Sequence, residues 1–366
     1  MLIVTRKKIE KQMANATSYA EWSEAAKAHD EHSGAARWRN MDPSRRYDYA
    51  SIRIRLDRLR ELRARHDNDG LLYTLNEGIH GNMGGMGKSA LYSRAHFGTK
   101  NLVDDYTREI RLALEHLASE EVDDISFEDK LDFFHRASHC YGRTALMMSG
   151  AGSLLYFHVG VVKALHDQEL LPYVLSGASG GAIISGIVGT HNPNELQDMF
   201  TPEFLLAEVQ QETGVWSNLS ALKPRRMPPE RIREVIERLI PDLTFQEAEE
   251  KTGRHINVSV APAETHQTSR LLNSIASPNV CIHDALMASA AVPGIYPPVT
   301  LMAKNVHDER QPYLPSRKWV DGSVSDDLPA KRLARLYGVN HNIVSQTNPI
   351  ALPFVNDKSE DNSVYG

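Results

Sequence analysis

Cysteine is scarce in this chain: Cys140 and Cys281 are the only two among 366 residues. No disulfide framework is therefore indicated, a reducing compartment is the default, and neither cysteine has the spacing of a metal site. Long apolar runs are also missing. The nearest approach, Thr144 to Leu165, is interrupted by Gly150, Gly152, Ser153, His158 and Lys163. It reads as strand, loop and buried helix, not as a membrane span. The start, Met1 to Lys8, lacks the apolar stretch of a signal peptide. An excess of positive charge is absent too, since the formal net charge is −6, so the chain as a whole has no nucleic-acid footprint. These absences point to an intracellular protein, soluble or peripheral to a membrane. What is present is an ordinary globular balance, 41% hydrophobic and 24% charged, in a length that suits two domains or one large domain with an extension.

Residues 1 to about 125 read as helical throughout. Ile9 to Ala28 carries good helix formers, and Tyr49 to Leu62 sets Ile52, Leu56 and Leu59 at helical spacing with arginines between them. From Ala36 to Arg65 ten arginines face four acidic residues, a local net of +6. Two readings stand: a solvated helix face laced by i,i+4 pairs, or a basic face over 36–65 that docks on anionic lipid head groups. From Arg53 to Arg65 no aromatic residue interleaves the charges as a single-strand nucleic-acid binder would need. Gly81 to Ser89 ends in Gly87-Lys88-Ser89 and imitates a phosphate-binding loop. Gly81 lies one residue too far from Gly87, however, and Leu71 to Gly78 is a poor buried strand before it. A Gly-rich loop between helices, without a nucleotide, is expected there.

Ser119 to Lys130 is acidic and reads as a connection, with a helix from about Ser126 to Tyr141. The pattern then changes. Ala145-Leu146-Met147-Met148 is a strand, Leu155 to Gln168 a helix, Tyr173 to Leu175 a strand and Ala182 onward another helix. This βαβα order implies a parallel sheet covered by helices, with ligands at the carboxyl ends of the strands. Residues 191–252 are polar and helical, Arg231 to Leu239 being the most amphipathic run, and Pro224, Pro228 and Pro229 mark a loop. Ile256 to Val260 alternates like a strand, with Arg270 to Ile275 as its neighbour. Asp284 to Ala291 is a small-residue helix, Trp319 to Asp321 a strand, Pro329 a helix start and Asn342 to Ser345 a late strand. The tail after Phe354 is polar and reads as disordered or cut from a longer protein. The expected division is 1–125 helical, 126–142 connecting, 143–350 catalytic and 351–366 tail.

One stretch carries chemistry. Gly177-Ala178-Ser179-Gly180-Gly181 fits a G-x-S-x-G elbow, in which a tight turn between strand and helix pushes a serine hydroxyl clear of the backbone. Gly177, Gly180 and Gly181 leave the approach open. The following helix aims its positive end at Ser179, where an ester carbonyl under attack develops negative charge. The backbone N–H groups of Gly150, Ala151 and Gly152, at another helix start, are candidate oxyanion donors. Asp321, at a strand end before Gly322, is a candidate base, and equally a common turn residue. As a base it must be desolvated and bonded directly to the Ser179 hydroxyl, because a free aspartate titrates near pH 4. His158, His283 and His341 read as structural.

These three blocks, in this order, resemble the patatin-like phospholipase family, whose members use a Ser-Asp dyad. The resemblance covers Ser149 to Ser153 with Phe157 to Val161, Gly177 to Ala182, and Asp321 to Val324 with Asp327-Leu328-Pro329. Aspartate stands at 327 where many members carry asparagine. Asn340 to Gln346 and the arginine-rich helical extension are similar to the triacylglycerol-lipase branch. The resemblance implies an α/β three-layer sandwich with a central, mostly parallel sheet, after an all-helical N-terminal region. It implies a lipid acyl hydrolase acting on glycerolipid esters through an acyl-enzyme, triacylglycerol favoured, at a membrane or lipid-droplet surface, with no metal or cofactor. Phospholipid or lysophospholipid hydrolysis and acyl transfer are the neighbouring readings. The chain departs from the family at its oxyanion loop: Ala151 replaces the middle glycine, Leu154 a basic residue and Leu155 the last glycine. Leucine donates no hydrogen bond, which leaves that work to the backbone and suits a neutral lipid. The same departures motivate a rival reading, a lipid-binding scaffold without catalysis.

Overall fold

The computed structural model describes residues 6–79, 82–213, 228–264 and 268–347. Gly81, Pro224 and the 351–366 tail lie outside them. The chain divides into two compact units, one within Met1–Gly142 and the other within Arg143–Asn356.

The first unit is helical: α1 (Arg6–Ala14), α2 (Tyr19–Ser33), α3 (Ala35–Asn40), α4 (Tyr49–Ala64), α5 (Asn68–Asn76), α6 (Asn101–Ala118) and α7 (Phe127–Tyr141). The helix expected from Ile9 to Ala28 is in fact two. Ser18 takes an extended backbone and accepts the Glu21 N–H, while the Glu21 carboxylate accepts the Thr17 N–H. This reciprocal capping starts a new helix where helix formers alone suggest continuity. The α4 stripe of Ile52, Leu56, Leu59 and Leu62 packs with Leu71, Tyr106, Ile110 and Phe133 into one buried cluster.

The arginines around that stripe are largely paired. Arg39 meets Asp104, Arg53 meets Asp42, Arg60 and Arg63 meet Glu109, and Arg58 and Arg65 meet Glu61. Arg46 and Arg55 donate to the backbone carbonyls of Ala90 and Thr74. Acidic residues distant in sequence, from α6, thus supply much of the balance missing within 36–65. The Gly-rich stretch forms two short 3₁₀ turns, Met83–Gly85 and Ser89–Leu91, and the Gly87 N–H donates to Asn82 Oδ1 at 2.9 Å. A phosphate would need that donor, and the α-helix it would cap does not start at Lys88.

The second unit runs β1 (Arg143–Met148), α8 (Leu155–Asp167), β2 (Val174–Gly177), α9 (Gly180–Thr190), α10 (Pro193–Met199), α11 (Pro202–Thr213), α12 (Pro229–Leu239), α13 (Phe245–Thr252), β3 (His255–Pro262), β4 (Arg270–Leu272) and α14 (Ile282–Ala290). It continues with β5 (Met302–Lys304), β6 (Arg310–Pro312), β7 (Trp319–Asp321), α15 (Ser323–Asp326), α16 (Ala330–Tyr337) and β8 (Val339–Ser345). The sheet order is β4-β3-β2-β1-β8, with β7 also on β3. β1, β2, β3 and β8 are mutually parallel, whereas β4 and β7 run antiparallel to β3.

Alternation along β1 shows why this is a three-layer sandwich. Leu146 and Met148 pack with Val162 of α8 and Ile184 of α9, whereas Ala145 and Met147 pack with Leu333 and Tyr337 of α16. A strand buried on both faces needs helices on both sides, and β1 therefore reads as an unbroken apolar run. The β5–β6 hairpin gave no signal in the sequence. β6 is exposed along its whole length and ends in Pro312, so it has neither an apolar face nor a full set of donors.

Glu109 offers a direct check on the first unit, being 3% exposed and held by Arg63 through two hydrogen bonds of 2.7 and 3.2 Å. Glu109→Ala is expected to lower unfolding stability by about 1.5–3 kcal/mol in a denaturant titration, as loss of a hydrogen bond to a charged group does.

Candidate active site

The serine sits where β2 hands over to α9. Ser179 has φ 51° and ψ −121°, a strained backbone for a residue with a side chain. It is partly exposed while Val174 to Ala178 before it are buried. The turn exists because two neighbours lack a Cβ. A methyl on Gly177 would lie 2.2 Å from the Gly181 carbonyl oxygen, and one on Gly181 would lie 2.3 Å from that of Met148. Gly180 packs toward Ala151, 3.0 Å from its Cβ to where a methyl would stand. The elbow is thereby pressed against the end of β1 and the loop beyond it. The Ser179 N–H donates to Ser289 Oγ at 2.9 Å, and Ser289 in turn donates to the Ser259 carbonyl at 2.9 Å. Ser289 is fully buried on α14. Nothing in a run of small residues distinguished it in the sequence.

Asp321 arrives from the opposite direction, at the end of β7 and in register with Val260 of β3. Its N–H donates to the Ala291 carbonyl at 2.9 Å, tying the strand end to the end of α14. Its side chain is 3% exposed, and Oδ1 accepts the Ser323 N–H at 2.8 Å. The hydroxyls of Ser323 and Ser179 lie close enough to this carboxyl group to favour its ionised form. Burial pushes its pKa up to about 6, the nearby charge of Asp327 adds to the rise, and the hydrogen bonds from Ser323 and Ser179 oppose it.

The third element is the loop from Ser149 to Gly152, which leaves β1 and enters α8 through a short 3₁₀ turn at Gly152–Leu154. One sequence expectation changes here. The Gly150 N–H donates to Asp327 Oδ1 at 2.8 Å, so it is already engaged. The N–H groups of Ala151 and Gly152 donate to no group among the described residues. Leu155, in place of a family glycine, has φ −56° and ψ −29°, ordinary helical values that a leucine takes without strain. Gly152 keeps the positive φ, +50°, where a glycine is wanted.

His158 is fully buried behind this loop. Nε2 lies 3.0 Å from the Ser149 carbonyl and Nδ1 lies 2.7 Å from Ser345 Oγ. A carbonyl only accepts, so Nε2 carries the proton and the ring is neutral, in line with a pKa lowered by burial. His283 and His341 bind the Ile240 carbonyl and the Thr144 hydroxyl. All three have structural partners. Among the described residues no group of three or more His, Cys, Asp or Glu could hold a metal ion.

In this α/β unit a serine on a strained strand–helix turn thus lies beside a buried carboxyl group and a glycine-containing loop at the strand ends. The family described as Patatin-like phospholipase matches residues 146–334, and one described as Domain of unknown function (DUF3336) matches residues 3–139. The chain belongs to the patatin-like phospholipase family. It is 35% identical to Triacylglycerol lipase ptl2 of Schizosaccharomyces pombe, over 94% of this chain and 55% of that protein. It is 36% identical to Triacylglycerol lipase 4 of Saccharomyces cerevisiae, over 95% of this chain and 39% of that protein. A patatin-like phospholipase domain-containing protein of Yarrowia lipolytica is 37% identical, over 95% of this chain and 43% of its own length. The chain thus spans about half the length of the curated relatives it matches, or less.

Ser289→Ala tests the support under the elbow. It leaves the Ser179 N–H and the Ser259 carbonyl without their partner, and a loss of about 1–3 kcal/mol in thermal or denaturant unfolding is expected.

Proposed function

We propose that this protein is a lipid acyl hydrolase that cleaves carboxylic esters of glycerolipids with Ser179 as nucleophile and Asp321 as base. The observation that carries this reading is a partly exposed serine on a strained turn beside a buried carboxyl group, Asp321, whose pKa burial raises to about 6. Burial supplies what a histidine would otherwise supply, a base whose affinity for a proton approaches the working pH. Ser179 Oγ bonds to the acyl carbon as its proton passes to Asp321. The carbonyl oxygen becomes an oxyanion, received by the free N–H groups of Ala151 and Gly152 and the positive end of α9. Collapse breaks the ester C–O bond, and the departing alcohol takes the proton from Asp321. Water, deprotonated by the same carboxylate, then releases the fatty acid and restores the serine.

Triacylglycerol is the favoured substrate. Two relatives bear the name triacylglycerol lipase, and Leu154 stands where a basic residue would attract phosphate. Leu154 and Phe157, 49% and 58% exposed, flank the loop and present an apolar rim suited to a lipid surface. We assign peripheral association with a membrane or lipid droplet to this rim. The arginines of 36–65 are a poorer candidate, because carboxylates already hold most of them. Among the described residues no helix is long and apolar enough to cross a membrane, which leaves surface contact as the mode the helices support.

Fatty-acid release from triacylglycerol and phospholipid emulsions tests the reading. Wild type is expected to favour triacylglycerol, with Ser179→Ala and Asp321→Asn both reduced by at least about a hundredfold and His158→Ala retaining turnover. Silence in His158→Ala alongside an active Asp321→Asn would transfer the base to the histidine. The pH profile follows from the sign of the shift. The base works only when ionised, so kcat/KM is expected to rise with pH through a midpoint near 6. Stability moves the other way. The raised carboxyl pKa contributes stability fully below its unfolded value of 3.8, and this is lost as pH rises through about 6. Asp321→Asn should therefore unfold at a higher temperature than wild type at pH 8.

A further inference from the structure

We propose that Asp327 is a positioning residue of this site, a carboxylate that holds the oxyanion loop through Gly150 and acts by its charge on Asp321. The inference rests on the reading of Ser179 and Asp321 as the reacting pair.

Gly150 is the point where β1 gives way to the loop, and both sides of its backbone are tied down. Its N–H donates to Asp327 Oδ1 at 2.8 Å, a charge-assisted hydrogen bond of the stronger kind. Its carbonyl accepts from Ser149 Oγ at 3.2 Å and from Thr347 Oγ1 at 3.4 Å. Fixing one residue in this way fixes the direction of the next two N–H groups, those of Ala151 and Gly152. The loop is close enough for this to matter: a methyl on Gly150 would stand 3.5 Å from Ser323 Cβ and 3.7 Å from Ser179 Cβ. An anion on Gly150 also has a negative consequence. It removes that N–H from the set that can receive an oxyanion, since the developing charge would meet a carboxylate there. The oxyanion is thereby directed to the far side of the loop.

The second effect is electrostatic. Asp321 is faced by the hydroxyls of Ser179 and Ser323 and the N–H of Ser323, all of which favour its ionised form, and by Asp327, which opposes it. Asp327 thus keeps Asp321 more proton-hungry than burial alone would. Asparagine, which many resembling proteins carry here, would preserve the acceptor oxygen and delete the charge. The aspartate in this chain does both jobs.

Asp327→Asn and Asp327→Ala separate them, assayed on a soluble p-nitrophenyl ester with thermal unfolding as the check on folding. Asp327→Asn keeps the Gly150 hydrogen bond, and the acid limb of kcat/KM is expected to move down by about half a pH unit, with the plateau about twofold lower. Asp327→Ala also loses the anchor, and a fall in kcat of about tenfold or more is expected with KM within about twofold, the pattern of misplaced donors. An acid limb that stays at the wild-type pH in Asp327→Asn overturns the charge role. Wild-type kcat in Asp327→Ala overturns the anchoring role. Should the alanine variant not fold, the nearly isosteric Asp327→Asn still decides the charge role by its pH profile. Ser179→Ala in the same assay keeps the two levels apart. Full turnover in it overturns the reacting pair and this proposal together, whereas its silence beside wild-type-like Asp327→Asn and Asp327→Ala overturns this proposal alone.

Discussion

A carboxyl group taken out of water is the constraint around which the second unit is arranged. An isolated buried carboxylate is costly, and a protein that keeps one must shape the surroundings to accept either its charge or its proton. Asp321 accepts the N–H of Ser323 and has the hydroxyls of Ser323 and Ser179 beside it, enough to tolerate ionisation without making it easy. That balance requires Ser179 to stand in a fixed place. The strained backbone at Ser179, the steric need for Gly177 and Gly181, and the Ser289 hydroxyl under the Ser179 amide all serve that placement. The tight contact between elbow and β1 fixes the third part, because the loop that leaves β1 begins where Gly181 touches the Met148 carbonyl.

Seen this way, the parallel sheet is a frame that brings three chain crossings to one edge. β1 delivers the loop proposed to hold the oxyanion, β2 the serine and β7 the carboxyl group. β7 reaches the site by running antiparallel to β3, so its carboxyl end lies alongside Val260, just beyond the Val258 that pairs with the end of β2. A second polar seam backs the loop from behind. His158, Ser149, Ser345 and Thr347 bond to one another, joining the start of α8 to the end of β8. This explains a buried histidine close to a serine site that takes no part in holding the serine: its neutral ring closes a structural network.

The parts of this arrangement that were legible in the sequence are those written in neighbouring residues. The elbow is five consecutive residues, and β1 is a continuous apolar run because both of its faces are covered. Asp321, a strand-end residue before a glycine, reads alone as a common turn aspartate, and only its place after the two earlier blocks singled it out. The partners that tune these groups were not legible, because each comes from far along the chain. Ser289 lies 110 residues from Ser179 and Asp327 lies 177 from Gly150, and neither has a local pattern to mark it. Distance in sequence also hid the charge balance of the first unit. A count over 36–65 sees an excess of arginine, whereas α6 carries Asp104, Asp105 and Glu109 to meet it. The break between α1 and α2 was readable in principle from Ser18 and Glu21, a capping pair that helix propensity alone overrode.

The central claim is that Ser179 becomes covalently acylated with Asp321, and no histidine, taking its proton. Rapid acid quenching during turnover of a slow ester, followed by peptide mass mapping, tests this most directly. The account predicts the acyl mass on the peptide carrying Ser179 within the first turnover in wild type and in His158→Ala, and its absence on that timescale in Asp321→Asn. Acylation of a different residue, or acylation of Ser179 at the wild-type rate in Asp321→Asn, would contradict it.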